Sequence, residues 1–263
     1  MVRILQSLAA ALVIAAAVPA SADLTIVSKL SGDGKTETAT SYLTADKARI
    51  VQPGGHEMIF DATKSEITLI DNHKRQYFVM TEQEMEDTAA RMQQQKKQAS
   101  AQMEDAMKKV PPEMREKMKS MINVGGMTAS AVEVKKASGG RQIAGYKCEN
   151  WTLTVGEISK TEECLSTDVP YPTGLWQSFR SMQNILQSMG PTMGSASALQ
   201  EKTKELKGFP LASTTTTNVL GNTRTTSSEV QEIKKGAIAA NVFALPAGYK
   251  KVDSPLKSMS EKK

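Results

Sequence analysis

The sequence predicts a mainly β protein, an open antiparallel β-barrel of about eleven strands with helices inserted between them. Three observations carry that expectation. From Asp23 to Met80, short segments alternate apolar and polar residues and are separated by turn residues about every 8–12 positions. The period then changes to seven over Glu82 to Lys109, a stretch with neither Gly nor Pro. Near the C-terminus, Leu211 to Val219 is Thr-rich and β-branched, as strands are. The composition of the 263 residues, 40% hydrophobic and 23% charged, is that of a folded domain rather than a disordered or fibrous chain.

The first 22 residues stand apart. Arg3 supplies a positive charge, Ile4 to Val18 is nearly continuous Leu, Ala, Val and Ile, and Ala20-Ser21-Ala22 is an A-x-A site. This is the pattern of a secretory signal peptide, cleaved between Ala22 and Asp23. An apolar run of about 15 residues is short for the ~20 that span a bilayer. No cysteine near the cleavage site encodes a lipid anchor, and no later run is long enough to cross a membrane. The expected product is periplasmic or secreted. Its net charge falls from +5 to +4 as Arg3 leaves, too mild for a nucleic-acid partner.

The mature chain reads as one domain over 23–252. Leu24 to Leu30 alternates and Ser31-Gly32-Asp33-Gly34 turns it. Tyr42-Leu43, Ala48 to Val51, Met58 to Phe60, Ile67 to Ile70 and Tyr77 to Met80 follow as strands of a meander. Several carry apolar residues on both faces (Ile59 and Phe60, Leu69 and Ile70, Tyr77 and Phe78), which implies a sheet covered on both sides.

A helical insertion is expected over 82–122. Thr81 and Glu84 form a capping box. Met85, Met92, Ala99 and Ala106 recur every seven residues beside Ala89, Lys96, Met103 and Val110, an apolar seam interrupted by Lys96. Pro111-Pro112 stops this helix, and a second bears Met114, Met118 and Met121 on one face. The seam is expected to pack on that second helix or on the barrel. Strands resume from Ala131 to about Leu165. A second helical segment, 174–207, places Leu175, Phe179, Leu186 and Met189 on one side. After the last strands, Val242 to Leu245 leads to a polar tail over 253–263.

Cys148 and Cys164 suit an oxidising compartment. A hairpin turning at Gly156, their numerical midpoint, sets them opposite each other, so a structural disulfide is expected. Its loop of about 15 residues makes it worth roughly 3 kcal/mol.

Catalytic patterns are sparse. Gly32-Asp33-Gly34-Lys35-Thr36 superficially matches a phosphate loop, but Lys29 stands where the motif needs Gly. There is no G-x-S-x-G elbow and no H-E-x-x-H; His56 and His73 are isolated, and pairs such as Glu162-Glu163 are not distinguishable from solvated faces, so they do not support a carboxylate-pair hydrolase. No enzyme activity, metal or cofactor is expected. Met118-x-x-Met121 and Met189-x-x-x-Met193 could hold copper(I), but their spacing is that of helix faces and no His or Cys reinforces them.

Several segments together carry a resemblance. Asp23 to Val27, Asp46 to Ile50, Ile67 to Asp71 through Tyr77, Ile143 to Cys148, and Phe243 to Tyr249 resemble an uncharacterised family of bacterial periplasmic proteins. That family is similar to the outer-membrane lipoprotein carriers LolA and LolB. The resemblance implies an open barrel of about eleven strands, with helices plugging an apolar concavity that holds acyl chains. The expected function is therefore a non-enzymatic binding protein for a lipid or lipoprotein acyl chain. Ile50, Phe60, Leu69, Phe78, Trp176 and Phe179 are the expected lining. The alternative is an envelope interaction or sensor module that meets a partner protein through the Met-rich helices and whose barrel is filled by its own side chains.

Overall fold

A computed structural model describes residues 23–108, 110–111, 131–175, 177–178, 182, 202–203, 206–219 and 221–257. Ala22, the second helix with Met114, Met118 and Met121, Trp176, Phe179, Leu186, Met189 and the end of the tail lie outside the described residues. Six strands form the N-terminal meander: β1 (Leu24–Gly32), β2 (Lys35–Leu43), β3 (Lys47–Val51), β4 (His56–Asp61), β5 (Glu66–Asp71) and β6 (Gln76–Thr81). Then come α1 (Glu82–Lys108), β7 (Val132–Ile143), β8 (Tyr146–Val155), β9 (Ser159–Ser166), β10 (Phe209–Val219), β11 (Asn222–Lys235) and β12 (Lys250–Lys251).

All twelve strands make one sheet in the order β12-β6-β5-β4-β3-β2-β1-β11-β10-β9-β8-β7. Eleven are antiparallel to their neighbours, in line with the expected number, and the twelfth adds a two-residue parallel pairing of β12 on β6. The sheet does not close, because β12 and β7 are its two edges. It does curl. Arg141 on β7 and Glu229 on β11 are separated by three strands, roughly 19 Å if the sheet were flat. Their side chains nevertheless meet at 3.1 Å.

Turn chemistry sets the hairpins. Asp33 and Gly34 both take positive φ, the two-residue turn whose twist matches flanking strands, so Gly32 pairs with Lys35. The β8–β9 hairpin turns one residue later than expected. Asn150 lies opposite Cys164 and Val155 opposite Ser159, so the turn is centred on Glu157 rather than Gly156. Cys148 is therefore diagonal to Cys164, and the two are bonded with their Cα atoms 5.3 Å apart. Both sulfurs sit in the main buried cluster with Leu24, Phe60 and Leu211. Reduction is expected to cost about 3 kcal/mol. Intact mass with and without reductant, after alkylation, reads the bridge, and free thiols in the unreduced protein would disprove it.

Helix α1 begins as its sequence directs. The Thr81 hydroxyl accepts the Glu84 amide at 3.1 Å, which is half of the capping box. The other half is diverted, since the Glu84 carboxylate accepts the Ser254 hydroxyl instead. The seam packs only at its start: Met85 is buried in the main cluster, Ala89 is buried and Met92 is half-buried. Farther on, Ala99 is exposed, with Gln93, Gln94, Gln95, Lys97 and Gln98 around it. The expectation of a packed seam thus holds for the first three turns and fails at Ala99. At 1.5 Å per residue, 27 residues extend about 40 Å from their base at β6.

The C-terminal segment covers the outer face of the meander. A 3-10 turn (Ala240–Phe243) packs against β3, where Arg49 donates to the carbonyls of Val242 and Ala244. Arg49 is also paired with Glu57, which accepts from Asn72 at 2.7 Å. Asn72 in turn accepts the Tyr249 hydroxyl at 2.9 Å. Beside these anchors Ile59 and Ile70 are 7% and 2% exposed. The doubled apolar faces of β4 and β5 thus have a cover made of the chain itself. Residues 254–257, assigned above to a polar tail, return to the other face, where Leu256 is buried near Met85.

Candidate functional site

Cross-strand register arranges the core face of the meander in three rows. Leu24, Leu43, Ala48, Phe60, Ile67 and Met80 are successive partners across β1 to β6, and all six are buried. The parallel row runs Ile26, Ser41, Ile50, Met58, Leu69 and Phe78. Ile26 is buried, and the other five are partly buried, with Met58, Leu69 and Phe78 packed against the main cluster. The third row turns polar, with His56 opposite Asp71 and Asp71 opposite Gln76. The face therefore grades from a sealed apolar row through an accessible apolar row to a polar margin. At ~4.8 Å per strand it extends about 24 Å across the six strands.

Four expected lining residues share this face. Ile50, Leu69 and Phe78 lie in the accessible row, whereas Phe60 is 0% exposed in the sealed one. Met85, Leu175, Met182 and Leu256 belong to the same buried cluster as that sealed row. Sequence reading missed Met58, the fourth member of the accessible row. Register with Ile50 and Leu69 places it there, and strand alternation could have found it.

Two concavities elsewhere mix charged and apolar groups. One of about 490 Å³, at the tips of β1, β2, β10 and β11, is lined by Lys35, Glu37, Thr215, Arg224 and Thr226. Its charges are partly spent, as Arg224 and Asp33 meet at 2.7 Å. The other, about 720 Å³, lies beside the 166–169 turn and sets Trp151 and Leu165 among Arg141, Lys147, Asp168 and Lys207. Ile50, Phe60, Leu69 and Phe78 border neither. No group of three or more His, Cys, Asp or Glu side chains is placed to hold a metal ion among the described residues. Nor does any described helix have the length and apolarity to cross a membrane.

One carboxylate is out of balance. Glu163 lies opposite Trp151 on one side and Ser213 on the other. Burial pushes its carboxyl above the ordinary glutamate range. A raised pKa favours the neutral form in the folded state. The stability it contributes is complete below about pH 4 and is lost as pH rises through the folded value. Glu163→Gln is therefore expected to stabilise the protein at pH 7 and to bring no gain at pH 4. Urea unfolding at the two pH values measures this, and an equal effect at both would show the carboxyl to be solvated.

A family model described as a domain of unknown function, DUF4412, matches residues 64–249. The chain belongs to this family. The DUF4412 match begins in the β4–β5 turn, so it takes in Leu69, Phe78, the disulfide and Tyr249, while β1 to β4 precede it. Among solved structures, the chain is similar to the complex of Pseudomonas aeruginosa MucA and MucB at 11% identity and a TM-score of 0.41, over 87% of this chain and 57% of that one. A DUF1329 family protein from Desulfovibrio piger is 7% identical, with a TM-score of 0.28 over 86% and 91% of the two chains. A LolA superfamily protein from Nitrosomonas europaea is 6% identical, with a TM-score of 0.27 over 86% and 91%. The chain spans less than three-fifths of the MucB chains it matches. No curated protein matches it significantly. Likenesses this distant carry no inference about ligand or partner, which rests on the chain's own residues.

Proposed function

We propose that this DUF4412 protein is an exported, non-catalytic binding protein that holds the acyl chain of a lipid or lipoprotein along the core face of its meander. The carrying observation is the accessible apolar row Ile50, Met58, Leu69 and Phe78 beside a sealed row of the same character. Partly buried apolar side chains aligned across four strands offer a continuous apolar strip, and an acyl chain gains roughly 0.8 kcal/mol for each CH₂ that leaves water against it. Trp176 and Phe179, expected from the sequence to belong to the lining, lie outside the described residues. The n-region, h-region and A-x-A pattern ahead of Asp23 supports export, and the Cys148–Cys164 bond fits an oxidising compartment.

Lipid extraction and mass spectrometry of protein purified from the periplasm, followed by titration of the delipidated protein with a fluorescent fatty acid, tests the proposal. Saturable uptake, abolished by Leu69→Asp without loss of fold, is expected. No co-purified lipid and no saturable uptake would sink it. A second reading is favoured by one observation, the exposed stretch of α1 around Ala99. In that reading the protein is an envelope interaction or sensor module whose barrel is filled by its own side chains and whose helix meets a partner protein; delipidated wild type takes up no fatty acid, and Ala99→Glu disrupts the partner complex.

A further inference from the structure

The two edges of the sheet are finished differently. On the meander side the chain lays β12 on β6, a two-residue strand made of Lys250 and Lys251. So short and charged a strand is a poor template for another chain. The opposite edge, β7, pairs with β8 alone among the described strands. A bulge between Lys136 and Gly140 divides it and leaves Val132 to Lys136 as one regular stretch.

Register decides which backbone groups of that stretch are open. Val132 lies opposite Val155, so Ala131 lies opposite Gly156, whose amide donates to the Ala131 carbonyl at 2.9 Å. The amides and carbonyls of Ala131, Glu133 and Lys135 therefore point to β8. Those of Val132, Val134 and Lys136 point away from the sheet, and no described residue pairs with them. The side chains divide in the same way. Val134 packs at the margin of a small apolar cluster of Leu153, Leu165 and Leu206. Glu133 and Lys135 stand on the other face, each more than half exposed, and meet at 2.7 Å.

We propose that this stretch is a self-association edge, on which a second copy of the chain pairs antiparallel about a two-fold axis through Val134. The sequence is self-complementary about that axis. The open amides of Val132, Val134 and Lys136 each reach an open carbonyl, and the two apolar clusters join through Val134. Glu133 faces the partner's Lys135 in a non-hydrogen-bonded pair, where side chains come closest. An axis through Glu133, Lys135 or Lys136 would instead set like charges against each other. Lysines on an edge normally guard it. Here Lys135 comes with its counter-charge two residues away, and the bulge prevents a longer register. The contact is short, so the dimer is weak and forms at high protein concentration. It does not depend on what the core face binds.

Sedimentation velocity of the purified, disulfide-bonded protein over a range of concentrations tests the pairing. Wild type is expected to pass from monomer to dimer as concentration rises. Glu133→Lys and Lys135→Glu each set like charges across the axis and are expected to weaken the dimer roughly ten-fold or more. An equimolar mixture of these two variants restores opposite charges at both pairs and is expected to associate as wild type does. Val134→Pro removes an amide that β8 does not use, so the strand is kept and dimerisation is lost. Circular dichroism checks the fold of each variant, and if Val134→Pro does not fold, the charge variants decide alone. A wild type that stays monomeric throughout overturns the proposal and leaves the edge to an extended segment of another protein. So does a dimer that survives Val134→Pro with its fold intact. A mixture of the two charge variants that stays monomeric, although wild type pairs, overturns it as well.

Discussion

Phe60→Ala is expected to cost about 3–5 kcal/mol of folding stability, the range for truncating a fully buried phenylalanine. Phe60 has Ala48 and Ile67 as its cross-strand neighbours and shares its buried cluster with Met85 and Leu256, so little can collapse into the space it leaves. Phe78→Ala, one row away, is expected to cost less than half as much, because half-exposure already leaves part of the ring in water. The same change should weaken fatty-acid binding far more than Phe60→Ala does at temperatures where both variants are folded. Urea unfolding and fatty-acid titration of the two variants separate a row that holds the fold from a row that holds the ligand. Equal losses of stability and of binding in both would mean that the rows are one core with no site in it.

Glu57→Ala is expected to cost about 3–5 kcal/mol, as removal of one member of a buried ion pair does. Arg49 and Glu57 expose only 14% and 10% of their side chains, so screening by water is slight. The truncation leaves a buried guanidinium with only the carbonyls of Val242 and Ala244, and it strips Asn72 of an acceptor. Replacing both partners, Arg49→Met with Glu57→Leu, should recover most of the loss, since an apolar pair leaves no charge stranded. Calorimetric melting of the single and double variants reads the difference. A single variant as stable as wild type would place the pair in bulk-like solvent and remove the main anchor of the C-terminal segment on the outer face.

The strands, their order through the meander and the start of α1 were legible because each rests on local chemistry. Alternation, turn residues and the Thr81 cap act within a few positions of one another. The Asp33-Gly34 turn lies within the expected Ser31–Gly34 segment, since positive φ at both central residues selects such pairs. The β8–β9 turn slipped by one residue because Gly156, Glu157 and Ile158 offer no equally specific pair, and strand register rather than symmetry about the cysteines decided it. Ile50, Phe60, Leu69 and Phe78 were correctly read as apolar strand residues, but their division into sealed and accessible rows depends on Met85 and Leu256 arriving from elsewhere in the chain. The course of the C-terminal segment over the outer face was not legible at all. Its anchors, Arg49 with Val242 and Asn72 with Tyr249, are 193 and 177 residues apart in sequence, and no local pattern marks such a meeting.

The pairing of β1 with β11 sets the order in which the molecule can assemble. Leu24 pairs with Leu43 on one side, within reach of a hairpin, and with Lys235 on the other. The meander β1–β6, the triplet β7–β9 and the pair β10–β11 can each zip up from neighbouring hairpins. Joining them needs a loop of some two hundred residues to close, so this step is slow and comes last. Until then β1 presents a nine-residue unpaired edge carrying Leu24, Ile26 and Leu30, the kind of edge that recruits another chain. Refolding yield should therefore fall with protein concentration while the first half is collapsed and the second still finding its register. Chains that end before β11 should aggregate rather than stay as soluble half-sheets.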